Sequence, residues 1–334
     1  MDSPNPVIEV EGLVKHFGDV VALDGIDLHV ERGTVFGLLG PNGAGKTTAV
    51  RILTTILRQD AGVARVLGID VAVHPQAVRE RIGLAGQYAA IDENLTGREN
   101  LRMVGLLTHL PKIIAAARAD ELLAQFGLSD AADRPARTYS GGMRRRLDLG
   151  AALVHRPPVL FLDEPTTGLD PASRNDLWVV IQELVADGTT VLLTTQYLEE
   201  ADRLADLIAV IDGGKKIAEG TSAELKATLG ATIVEIRVRD ASQGATAGRL
   251  LGSVGTVEHD DDGRTVKVNI GAGAKGVLDV ARTLESAELV PESFTVREPT
   301  LDDVFLSLTG HRAEDEGATP GSATDSPAAE EGAA

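Results

Sequence analysis

Two adjacent carboxylates, Asp163 and Glu164, close a short apolar run, Val159-Leu160-Phe161-Leu162. A run of that length and composition forms a strand buried on both faces. Open α/β sheets place their ligands at the C-terminal ends of such strands. Burying unpaired carboxylates is costly, so the pair calls for a cation or a polarised water beside it. The partner lies upstream. Val35–Leu39 form a second apolar strand, followed by Gly40, Pro41, Asn42, Gly43, Ala44, Gly45, Lys46, Thr47 and Thr48, then a helix to about Leu57. This stretch fits G-x-x-x-x-G-K-[ST] in its strand–loop–helix setting. Its glycines let backbone N–H groups converge on phosphates, and the helix N-terminus adds a favourable dipole. Lys46 is placed to bridge the β- and γ-phosphates, and the Thr47 hydroxyl to ligate Mg²⁺. The chemistry is that of a nucleotide site.

The elements between and beyond these stretches position them. Val7–Val10 and Ile26–Val30 read as antiparallel strands ahead of the loop. Strands follow around Val63–Leu67 and Ile82–Gly86. Residues 96–127 are helical, Thr96 capping with Glu99 and Pro111 opening a second helix at its N1 position. Ser140-Gly141-Gly142 turns into a helix over Met143–Val154, stopped by Pro157 and Pro158. Arg144, Arg145 and Arg146 cannot share one helix face and have no aromatics between them, so they read as a solvated face with local ion pairs. Ala172–Ala186 is a helix in which Trp178 packs; Thr190–Thr194 is the next buried strand. Leu207–Ile211 and Lys216–Ala218 are closing strands, and Ser222–Leu229 is a helix ending at Gly230.

Tyr139-Ser-Gly-Gly-Met143, Val159–Glu164 and Gly168-Leu169-Asp170 resemble, in order and spacing, the signature motif, Walker B strand and D-loop of the ATP-binding-cassette (ABC) ATPases. The resemblance covers about residues 7–230. Thr194–Asp202 and Pro299–Phe305 are similar to the subgroup of drug- and antibiotic-resistance exporters. The resemblance implies an α/β ABC ATPase fold with an antiparallel β subdomain and a helical subdomain at about 88–155. The implied cofactors are ATP and Mg²⁺. Phe17 would stack on adenine, or else be core; stacking does not exclude GTP. Gln87 would reach Mg²⁺ and the attacking water, or else be a surface amide. Asp163 would hold Mg²⁺ through water, and Glu164 would orient or deprotonate the nucleophile. Ser140, Gly141 and Gly142 would close over the nucleotide of a second copy, with Asp170 communicating across a head-to-tail homodimer. At the switch position the family usually carries histidine, whereas this chain has Gln196. Its amide donates a hydrogen bond to the γ-phosphate but holds no positive charge, which leaves the base role to Glu164 alone. Tyr88–Leu101 would line a groove for a membrane subunit, although Ile91, Leu95 and Leu101 also suit a core.

A second unit begins at about Ala231. Strand, helix, two strands around the Asp261-Asp262-Gly263 turn, helix and the strand Ser293–Arg297 give the order βαββαβ, a small ferredoxin-like α+β module. Gly271-x-Gly273-x-x-Gly276 matches a dinucleotide fingerprint, but the unit is too small for a doubly wound fold, so it reads as a turn. Thr300 caps a last helix, whose stripe Leu301, Val304, Phe305 and Leu308 is expected to dock on this module or on a second subunit. Residues 311–334 have the composition of a disordered acidic tail.

Composition narrows the function. At 334 residues two domains are expected. A 43% hydrophobic content suits a sizeable core, yet no apolar run approaches the roughly 20 residues of a membrane-spanning helix. Residues 1–12 lack the pattern of a signal peptide. With no cysteine there are no disulfides or thiolate metal sites. The histidines at 16, 29, 74, 109, 155, 259 and 311 have no ligand spacing. A net charge of −18 disfavours nucleic acid as a partner. The expectation is an ATPase at the cytoplasmic face of the membrane, powering a separate permease that exports drug-like compounds. The alternative is a nucleotide-gated regulatory or target-protection protein.

Overall fold

The computed structural model describes residues 6–86, 91–229, 232–270 and 274–309. Its centre is a six-stranded sheet made of β3 (Val35–Leu39), β6 (Ile82–Ala85), β7 (Val159–Asp163), β8 (Thr190–Thr195), β9 (Leu207–Asp212) and β10 (Lys215–Gly220). The strand order is β10-β9-β3-β8-β7-β6, parallel except for the β9–β10 hairpin. Strands β3, β7 and β8 are buried at every residue, as continuous apolar runs covered on both faces must be. Register carries Leu39 opposite Thr195 and Asp163 opposite Thr194, so the ends of these three strands form one edge. A second, antiparallel sheet of β1 (Ile8–Phe17), β2 (Val20–Val30), β4 (Ala61–Val66) and β5 (Ile69–Asp70) shares a core with one face of the first, through Phe36, Phe161, Ile26 and Leu28.

The other face carries helices α3 (Gly97–Leu107), α4 (Lys112–Gln125), α5 (Gly141–Ala152) and α6 (Pro171–Ala186) around Leu101, Phe126, Leu147 and Trp178. Thr96 and Glu99 form the anticipated capping box. Pro111, by contrast, is the N-cap of α4, one position ahead of the anticipated N1. Helix α5 starts at Gly141, two residues early, because the Ser140 hydroxyl accepts the Met143 N–H and so caps it. The helix after the glycine-rich loop, α1 (Lys46–Leu53), ends four residues short of Leu57. Thr55 there turns to φ 64°, and the Ile56 and Leu57 amides fold back onto the Arg51 carbonyl. Leu101 is core, at 1% exposure, and not groove lining; positions 88–90 lie outside the described residues.

A third sheet contains β11 (Thr232–Arg237), β12 (Thr256–His259), β13 (Thr265–Ile270) and β14 (Ser293–Arg297), in the order β12-β13-β11-β14, with every pair antiparallel. With α9 (Ala241–Leu251) and α10 (Ala274–Ser286) it gives the βαββαβ order of a ferredoxin-like unit, around Val234, Ile236, Leu251, Val268 and Val280. The last helix, α11 (Leu301–Thr309), departs from expectation. Leu301, Val304 and Phe305 do not join this sheet's core, and Leu308 is exposed at 42%. The first three pack against α7 (Leu198–Leu204), α8 (Ser222–Ala227) and the strand residues Leu39, Ile208 and Val210. The amphipathic stripe requires a covered face and leaves its cover unspecified. Gly271 and Gly273 lie outside the described residues, as do positions 310–334.

Candidate functional site

The glycine-rich loop leaves the C-terminal end of β3 and becomes the first turn of α1. Gly45 makes that path possible: φ is 109°, and a Cβ there would stand 2.5 Å from the Ala22 carbonyl oxygen on β2. Pro41 to Thr48 and Glu164 line a cavity of about 220 Å³. Lys46 lies at its base, 3% exposed, its ammonium donating to the carbonyls of Gly40 at 2.6 Å and Pro41 at 2.9 Å. Burial pulls its pKa below the ordinary lysine value, while the charges of Glu164 and Asp163 oppose the shift. Such a cation, beside the free amides of a helix N-terminus, suits a phosphate ligand.

Both carboxylates stand at the end of β7, which β8 separates from β3; Glu164 lines the cavity and Asp163 meets it through Thr47. Asp163 Oδ1 accepts the Thr194 hydroxyl at 2.6 Å and the Thr47 hydroxyl at 3.1 Å. Glu164 Oε1 is 3.7 Å from Lys46 Nζ, and its Oε2 accepts the Thr167 hydroxyl at 3.4 Å. The Glu164 backbone is left-handed, φ 51°, a conformation costing a non-glycine residue about 1–2 kcal/mol. Its N–H donates to both the carbonyl (3.1 Å) and the hydroxyl (3.0 Å) of Thr194, which fixes the turn to β8. The hydroxyl and carboxylate of Thr47 and Asp163 are the hard oxygen donors that a magnesium ion takes alongside substrate phosphates. Thr194 lies beyond what the motifs indicated. Its only sequence signal is a hydroxyl at the end of a strand parallel to β7.

Other anticipated residues are distributed around this centre. Gln196 follows β8 at the edge shared with Asp163 and is half-buried. Ser140, Gly141 and Gly142 do not line the cavity. Ser140 and Gly141 are exposed at the start of α5, and a Cβ on Gly142 would stand 2.8 Å from Ser173 Oγ. Ser173 in turn donates from its N–H and its hydroxyl to Asp170, the N-cap of α6, at 3.0 and 2.7 Å. These bonds, the amide one foremost, hold the Asp170 carboxyl below its ordinary value. The Ser140–Gly142 turn therefore lies close to the first turn of α6, which Asp170 caps. Phe17 ends β1 about half exposed, with Lys15 Nζ 5.6 Å from its ring centre, so it is not core. Gln87 lies outside the described residues. A larger cavity, about 650 Å³, opens between α4 and α6 and is lined by Arg118, Glu121, Arg156 and Asp187. None of its lining residues belongs to the loop.

The three consecutive arginines do not share the solvated face expected of them. Arg144 alone is the solvated residue, 3.7 Å from Glu93. Arg146 donates to the Phe126 carbonyl at 3.3 Å. Arg145 turns inward beneath the two carboxylates and donates to the carbonyls of Pro165, Gly86, Glu164 and Asp163.

Residues 23–167 match the family described as ABC transporter, and residues 220–309 match the C-terminal domain of DrrA1-3-like ATP-binding proteins. The chain is 52% identical over 314 residues to the daunorubicin/doxorubicin resistance ATP-binding protein DrrA of Streptomyces peucetius, covering 93% of this chain and 95% of that one. The chain belongs to the DrrA-like ABC transporter ATPases. It is 54% identical over 303 residues to the daunorubicin resistance ATP-binding protein DrrA3 of Streptomyces coeruleorubidus, covering 91% and 96% of the two chains. Among solved structures, cbiO1 of Clostridium perfringens, part of an ABC transporter complex, superposes with a TM-score of 0.62 at 27% identity, over 67% of this chain and 91% of that one. The ABC ATPase fold and the drug-resistance kinship anticipated from the motifs are thus found. An ABC ATPase domain implies binding and hydrolysis of ATP. No helix among the described residues is long and apolar enough to cross a membrane.

Proposed function

We propose that this chain hydrolyses ATP to power export of a drug or other hydrophobic compound through a separate permease, as a homodimer at the cytoplasmic face of the membrane. One observation carries the catalytic part: Lys46, Thr47 and Glu164, from two strand ends, line one cavity at a helix N-terminus, and Asp163 adjoins it through the Thr47 hydroxyl. Lys46 exchanges its bonds to the Gly40 and Pro41 carbonyls for the β- and γ-phosphate oxygens. Thr47, and Asp163 through water, would hold magnesium, which would supply charge neutralisation on the phosphates. Glu164, held in place by Thr194, orients the attacking water and accepts its proton. Gln196 would donate its amide to the γ-phosphate, Gln87 would be a further ligand for the metal and the attacking water, and Phe17 would stack on the base. Ser140, Gly141 and Gly142, outside this cavity, supply amides to the second copy's nucleotide, and Asp170 adjoins them. Closing around ATP and opening after hydrolysis is the two-state element that a permease would read. The names of the resistance relatives support a drug-like substrate.

The test is steady-state ATP hydrolysis by wild type and Glu164→Gln, alone and with membranes holding the permease. The variant is expected to bind ATP normally and to turn over about 10²–10³-fold more slowly. Equal rates would favour a nucleotide-gated regulatory protein, a reading that Gln196 in place of the usual histidine also suits. Absence from the membrane fraction when the permease is present would remove the transport role.

A further inference from the structure

Helix α5 begins at the exposed Ser140–Gly142 turn and ends in the core, and Arg145 lies one turn in from its start. Its guanidinium gives four hydrogen bonds, all to backbone carbonyls. Nε donates to the Pro165 carbonyl at 2.6 Å, one terminal nitrogen to the Gly86 carbonyl at 2.7 Å, and the other to the carbonyls of Glu164 at 2.9 Å and Asp163 at 3.2 Å. Asp148, one turn along α5 and itself buried, stands 3.7 Å away as its counter-charge. Three of the four carbonyls belong to the turn that presents the carboxylates. The middle one is Glu164, whose left-handed backbone would relax without support. The fourth belongs to Gly86, directly before Gln87. Only a planar fork of donors with fixed geometry reaches this set at once; an ammonium is a single point.

We propose that Arg145 is a positioning residue for the catalytic turn. From the signature helix it sets the angle at which Glu164 meets the attacking water. It also ties the helix whose N-terminus serves one nucleotide to the turn that serves the other. The proposal rests on the reading of Glu164 as the group that acts on water. Arg145 touches neither phosphate nor nucleophile, so its loss should spare nucleotide binding and slow the chemical step.

The experiment is a double-mutant cycle between Arg145→Lys and Glu164→Gln, scored by kcat, KM for ATP and equilibrium affinity for a non-hydrolysable ATP analogue with magnesium. In Arg145→Lys, kcat is expected to fall about tenfold or more, because small misplacements of a catalytic group cost up to about 10²-fold, while affinity changes less than about twofold. In the Glu164→Gln background the same substitution is expected to change the residual rate less than about twofold, since two groups acting as one unit are not additive. Wild-type kcat in Arg145→Lys would overturn the proposal, as would losses that multiply in the double variant. If Arg145→Lys loses nucleotide binding, Arg145→Gln replaces it in the cycle; loss of binding in both would make Arg145 purely structural. Failure of the underlying reading is separately visible, because Glu164→Gln by itself would then leave turnover unchanged.

Discussion

The nucleotide-binding sheet and the C-terminal sheet differ most in what they bury. Around the first, Lys46, Asp148, Asp163, Glu164 and Glu200 are buried ionisable groups, gathered about the ends of β3, β7 and β8 and the helices beside them. From residue 232 onward the buried polar residues, among those described, are Thr265 and Asp303 alone. Desolvated charge is costly and persists only where partners compensate it, and its density is highest around the cavity of the glycine-rich loop. The second sheet is an aliphatic scaffold. Its following helix, α11, nevertheless reaches back to Leu39, the residue before the glycine-rich loop. The scaffold is thereby tied to the edge that carries the loop through the apolar cluster around Leu301, Val304 and Phe305.

Phe305→Ala should show the largest stability effect and would sharpen that contrast. Phe305 is 1% exposed against α7 and α8, and truncating a buried phenylalanine costs about 3–5 kcal/mol. Denaturant unfolding followed by Trp178 fluorescence, whose ring lies in the nucleotide-binding half, is the measurement. Destabilisation reported by that tryptophan means α11 supports the catalytic unit; an unchanged midpoint would make the two halves independent.

Much of both regions was legible in the sequence, for different reasons. The C-terminal strands alternate or run apolar between clear turns, and β14 falls on the anticipated Ser293–Arg297. The catalytic loop was legible because G-x-x-x-x-G-K-T encodes a backbone path, and β7 because its run of four apolar residues must be covered on both faces. Three things were not legible. A stripe on α11 demands a cover without naming it. Consecutive residues on a helix point about 100° apart, so spacing alone could not tell that Arg145, and not Arg144, turns inward to carbonyls more than fifteen residues away in sequence. Thr194 acts through register between β7 and β8, a contact that no local pattern encodes.

The two buried acids Glu200 and Asp303 offer a smaller effect with opposite signs in the two regions. Glu200 accepts the Trp178 indole N–H at 3.1 Å, and its Oε2 makes no well-formed hydrogen bond. Burial pushes its pKa up, against the pull of the Thr195, Trp178 and Thr166 groups and Arg174. Its folded form therefore favours the proton. Its contribution is fully present below the unfolded value near 4.5 and is lost as pH rises through the folded pKa. Asp303 is the reverse. Burial acts to raise it, but the paired Arg297 nitrogens at 2.6 and 2.9 Å and the Thr300 amide and hydroxyl win, holding it below 3.8. Its contribution is present above pH 3.8 and is lost as pH falls through the folded pKa. Melting temperature against pH should thus separate them. Asp303→Asn should cost about 2 kcal/mol at neutral pH and little in acid, whereas Glu200→Gln should gain on wild type as pH rises from 4.5. Matching profiles would mean that the two acids sit in equivalent environments.

The smallest effect is expected one residue from Arg145, at Arg144. Arg144 is 45% exposed on its side chain and 3.7 Å from a Glu93 that is more exposed still. An ion pair in water of that geometry contributes roughly 0–1 kcal/mol and is screened by salt. Arg144→Ala should therefore shift the unfolding midpoint by less than about 0.5 kcal/mol and leave ATP turnover at the wild-type rate. Neighbouring arginines on α5 then differ only in direction: one meets solvent, the other meets four desolvated carbonyls. A large loss of turnover in Arg144→Ala would show that the start of α5 needs positive charge in general, and the distinction drawn for Arg145 from its hydrogen bonds would fail.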